Sequence, residues 1–140
     1  MAILVNGQSF QKLYVGTFTS EGAEGIYLCR FNKLTGEIKL DKTFKAIDNP
    51  SFLSVSPNKN YLYAVSRTST KIENSGGYVS AYRIKTSGEL EFINKQPSNG
   101  TGPCHIDVSH DGKYVAIATY GGGTISVYPV IAGGGLLPAS

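Results

Sequence analysis

The segment Pro50-Ser51-Phe52-Leu53-Ser54-Val55-Ser56 returns about 50 residues later as Pro103-Cys104-His105-Ile106-Asp107-Val108-Ser109, and self-similarity at such a period marks a repeat architecture. The agreement continues along the chain. Pro57-Asn58-Lys59-Asn60 is matched by His110-Asp111-Gly112-Lys113, and "YLYAVS" from Tyr61 by "YVAIAT" from Tyr114. "YVSAYRI" from Tyr78 is matched by "TISVYPV" from Thr124 and, with one slip, by "GIYLCRF" from Gly25. "TGEI" from Thr35 pairs with "SGEL" from Ser87. Runs rich in Val, Ile, Tyr, Phe and Thr, separated by Gly, Asn, Ser and Asp, are strand chemistry, and no helical period competes with them.

Each unit therefore reads as a meander of four short antiparallel strands. The expected fold class is all-β, with about three blades of a β-propeller. The expected division is a blade over about 12–47 lacking its first strand, a complete blade over 50–97, and a blade over 103–140 lacking its last strand. A β-sandwich explains the strands but not the spaced copies. In "YVAIATY" neither face carries a charge, as expected of a sheet sandwiched between neighbours. Propellers close with four to eight blades, so the chain is expected to be part of a longer protein, or to self-associate through exposed blade faces.

Composition removes other classes. Apolar residues make up 41% and charged residues 16%, a globular balance. The net charge of +3 comes from scattered Lys and Arg, so nucleic acid is not an expected partner. No run of 18 apolar residues occurs, and the apolar stretch in "MAILVNGQSF" is too short for a signal peptide, so no membrane is expected and the cytoplasm is the default compartment. Cys29 and Cys104 are too widely spaced for a zinc motif or a disulfide framework.

Three stretches resemble a known family. "KLYVGTFTSEGAEGIYLCRFNKLTGEI" is similar to the opening of the seven-bladed lactonases (6-phosphogluconolactonase-like), "NPSFLSVSPNKNYLYAVSR" to their second blade, and "GPCHIDVSHDGKYVAIATYGGGTISVYPV" to their third. The resemblance implies a propeller whose polar channel hydrolyses a sugar lactone without cofactor or metal. Muconate-lactonizing enzymes share the family, so an isomerase is a second reading, and a non-catalytic segment binding sugar or protein a third. The resemblance also implies that an arginine and a glutamate of the site come from later blades, with no counterpart here.

Within the repeat, the breaks in the pattern are the candidate site. His105 replaces Phe52, and an imidazole titrates near neutrality, suiting it to acid–base work on a lactone. Asp107 replaces Ser54 two residues on, on the same strand face, where a carboxylate can orient the ring. These two are the expected catalytic pair, with Phe52 expected merely to fill space. Arg67 ends its strand where the other copy has Tyr120; a guanidinium fork suits phosphate or carboxylate, and both positions are expected to bind substrate. Tyr120-Gly121-Gly122-Gly123 lacks the ending of a phosphate loop and reads as a tight turn. Ser109-His110-Asp111 has triad residue types, but adjacent turn residues diverge, so it reads as a turn.

Overall fold

The computed structural model describes residues 9–45, 47–69 and 71–140. They form ten strands and one short 3-10 turn, Thr19–Glu21. The strands are β1 (Phe10–Gly16), β2 (Ile26–Asn32), β3 (Ile38–Phe44), β4 (Pro50–Val55), β5 (Tyr61–Arg67), β6 (Gly77–Ile84), β7 (Leu90–Pro97), β8 (Pro103–Val108), β9 (Tyr114–Thr119) and β10 (Thr124–Pro129). They make antiparallel sheets ordered β1-β2-β3, β4-β5-β6-β7 and β8-β9-β10. These are blades of a partial β-propeller.

Turn chemistry sets the meander. Ser56 Oγ donates to Asn58 Oδ1 at 2.7 Å, and the Tyr61 N–H donates back to Ser56 Oγ at 3.0 Å. The copy repeats it: Ser109 Oγ donates to Asp111 Oδ1 at 2.7 Å, and the Tyr114 N–H to Ser109 Oγ at 3.0 Å. Gly112 takes φ 71° there and Lys59 takes φ 60° in the earlier copy. The same side chain-to-backbone bonds thus close both hairpins at the same register.

Two apolar clusters hold the sheets together, and β5 supplies both. Leu62 and Ala64 join Ile26, Ile47 and Tyr82 between the first and second sheets. Tyr63 and Val65 join Val79, Ile106, Val115, Ile117 and Tyr128 between the second and third. Successive strand residues face opposite ways, so the buried run "LYAVS", from Leu62 to Ser66, covers both faces of one sheet. β9 differs: Val115 and Ile117 are buried, whereas Tyr114 and Ala116 are exposed. Its outward side is the exposed blade face expected of an open arc, since among the described residues no further sheet covers it.

Candidate functional site

The first strands of the second and third sheets, β4 and β8, lie side by side, joined by Ser51 Oγ donating to the Pro103 carbonyl at 3.2 Å. Each has a register shift just after its proline, between Pro50 and Phe52 on β4 and between Pro103 and His105 on β8. Proline suits such a position because it has no N–H to give the ladder. The bulge leaves one residue unpaired and re-aims its neighbours, a device common beside active sites.

His105 emerges from this bulge exposed, its ring centroid 4.4 Å from that of Phe52 and tilted by 53°. The repeat thus brings equivalent positions into contact. Phe52 is 41% exposed and belongs to neither apolar cluster, which corrects its reading as a space-filler. The position faces away from both inter-sheet cores, so the fold asks nothing apolar of it. Sequence reasoning therefore missed the Phe52–His105 contact, although the alignment of the two positions was the available signal.

Asp107 lies on the same strand side as His105, but no hydrogen bond joins the two among the described residues. Its Oδ1 accepts from Ser54 Oγ at 3.3 Å and from the Val108 N–H at 2.8 Å. Here again a repeat position touches its own counterpart.

Arg67 ends β5, half-buried, at the meeting of all three sheets. Its Nε donates to the Pro103 carbonyl at 3.2 Å, two residues before His105, and its guanidinium carbon lies 5.7 Å from the Phe18 ring centroid. Asn49 brackets the same strand end, accepting from the Arg67 N–H at 3.3 Å and donating through Nδ2 to the Arg67 carbonyl at 3.1 Å. Tyr120 stands apart: its side chain is 86% exposed, while its N–H donates to the Gly102 carbonyl at 2.9 Å. Residues 120–123 form the turn between β9 and β10.

The remaining polar residue types are committed elsewhere. Ser109 and Asp111 bond to each other in the turn already described, and the Ser109 hydroxyl, followed by the Lys113 N–H, holds the Asp111 carboxyl below the usual carboxylate range. Cys29 and Cys104 are free thiols, and Cys104 Sγ lies 3.6 Å from the Ala118 carbonyl. Among the described residues no group of three or more His, Cys, Asp or Glu is arranged to hold a metal ion. No helix among them is long and apolar enough to cross a membrane.

The meander, the adjacent first strands β4 and β8 and their matching bulges define blades of a propeller. The family model "Lactonase, 7-bladed beta-propeller" matches residues 12–140, and the chain belongs to that family. It is 36% identical over 124 residues to the 6-phosphogluconolactonase of Bacillus subtilis (strain 168), covering 88% of this chain and 34% of that protein. A crystal structure from Bacteroides fragilis NCTC 9343, presented as a candidate 6-phosphogluconolactonase, superposes with TM-score 0.84 at 34% identity, covering 98% of this chain and 37% of that one. The periplasmic gluconolactonase of Pseudomonas aeruginosa superposes with TM-score 0.83 at 31% identity, covering 94% and 38%. The chain spans about a third of the length of these relatives.

Proposed function

We propose that this chain contributes part of the channel site of a metal-independent lactone hydrolase acting on a sugar lactone, 6-phosphogluconolactone in the first instance. The observation that carries the reading is His105: exposed, placed by a bulge on the first strand of its sheet, and standing where the repeat elsewhere has an apolar ring. In this reading the first sheet is a blade over about 12–47 without its first strand, and the third a blade over 103–140 without its last.

The imidazole takes a proton from a water molecule as its oxygen bonds to the lactone carbonyl carbon. The ring C–O bond then breaks, and the same proton passes to the departing alkoxide oxygen, leaving a hydroxy acid and neutral imidazole. Asp107 fixes β8 against β4 through Ser54 and places a negative charge beside the reacting ring. Phe52 offers an apolar wall on its other side. Arg67, already anchored through Nε, presents its remaining N–H groups to the anionic end of the substrate, with Tyr120 at the rim. The two free thiols fit a reducing compartment, the cytoplasm.

The test uses the longer protein in which this segment sits, assayed on 6-phosphogluconolactone and on the unphosphorylated lactone. His105→Phe, which copies the earlier repeat, is expected to leave the fold intact and lower kcat on both by about 10²–10⁴. Unchanged turnover would remove His105 from the chemistry.

A further inference from the structure

The first and second sheets enclose a cleft of about 610 Å³ whose lining does not include His105. Its volume is within the range of small-molecule sites, roughly 300–1,000 Å³. The end of β3 and the segment after it form one wall; the other is the face of β5, β6 and β7 that bears Ser66, Tyr78, Ser80, Tyr82, Phe92 and Lys95. Both walls belong to consecutive sheets of this chain. Val65, Val79 and Ala81, on the opposite face, fill the apolar cluster against the third sheet.

Three features of the lining point to a ligand. Ser66 is 3% exposed, yet its hydroxyl has no hydrogen-bond partner among the described residues. Buried polar groups in native structures are nearly always paired, so this hydroxyl calls for a partner. Lys95 Nζ rests 3.8 Å from the Tyr78 ring centroid and makes no ion pair among the described residues, whereas Lys45, also at the cleft, is paired with Glu24. Tyr82 and Phe92 meet edge-on, with ring centroids 5.7 Å apart, and give the cleft an apolar surface. Hydroxyls beside aromatic rings suit the alternating polar and C–H faces of a polyol, and the unpaired ammonium suits one carboxylate. Asp48 on the facing lip opposes a second negative charge.

We propose that this cleft binds a polyhydroxylated monocarboxylate, with Ser66 Oγ and Lys95 Nζ as its polar contacts. That class is what an unphosphorylated sugar lactone becomes on opening, so the choice of ligand rests on the lactone-hydrolase reading above; the cleft and its orphan hydroxyl do not. The test is a titration of the longer protein in which this segment sits, followed by backbone amide NMR shifts, with sodium D-gluconate as probe and D-glucose and 6-phosphogluconate as comparators. Saturable shifts at Ser66, Tyr78 and Lys95 are expected with gluconate, at least tenfold tighter than with either comparator. Ser66→Ala and Lys95→Ala should each weaken binding at least tenfold while the remaining amide spectrum stays native. Shifts centred on Phe52 and His105, equal affinity for glucose, or unweakened binding by both variants would overturn the proposal. Because binding is read without turnover, its failure and a failure of the His105 assay are separate results.

Discussion

Tyr63 is 1% exposed, and its hydroxyl donates to the Gly134 carbonyl at 3.1 Å across the gap between β5 and the chain's final segment. Burial, with a smaller contribution from Tyr61, pushes its phenol up from 10 to about 12. The folded state therefore retains a proton that the unfolded chain gives up near pH 10. Stability is complete below that pH and falls as pH rises from about 10 to about 12, because the unfolded state then binds fewer protons. Tyr63→Phe should cost about 1 kcal/mol at neutral pH through the lost hydrogen bond. It should also lose less stability than the parent between those two pH values, since one phenol no longer favours unfolding by ionising. Urea unfolding at pH 8 and pH 11 reads both effects, and parallel losses in the two proteins would contradict the assignment. No reading of the sequence pointed to this bond, because its acceptor lies 71 residues on, beyond any local pattern.

At the scale of elements, hairpins are closed by residues adjacent in sequence, so strand positions and turns were legible from the copies alone. Contacts between sheets were not. That Phe52 meets His105, and Ser54 meets Asp107, depends on β4 and β8 lying side by side, which periodicity within one strand cannot show. The Ser66 cleft was hidden for the same reason, since its walls come from different sheets. Gly16 shows how closely two sheets approach: a Cβ there would overlap the Pro50 carbonyl oxygen and press on Leu53. Gly16 does not need a left-handed φ, so Gly16→Ala tests this approach without backbone strain. Overpacking of this kind costs roughly 1–3 kcal/mol, and the loss should appear in urea unfolding. A neutral substitution would mean that β1 and β4 are further apart than the structure has them.

At the scale of the molecule, among the described residues, the second sheet is covered on both faces and each terminal sheet on one. The outward face of the third carries Tyr114 and Ile125, and that of the first carries Leu13, Val15, Ile38 and Leu40, all exposed. Contiguous apolar surface of this kind marks an interaction face, so this chain by itself should bind a hydrophobic dye or self-associate in light scattering. Ile125→Lys should reduce whichever occurs. A compact monomer that leaves the dye dark would count against the open arc. Composition and length anticipated these faces; which side chains occupy them followed only from strand register.

The paired strands β4 and β8 also bear on how such a protein changes its chemistry over generations. Phe52 and His105 occupy one repeat position, under the same bulge, and neither lies in a core. A duplicated blade therefore brings with it a position that can be retyped without disturbing the scaffold. Each added copy sets that position beside the last, so a ring of identical blades is already a ring of adjacent sites on which selection can write different side chains.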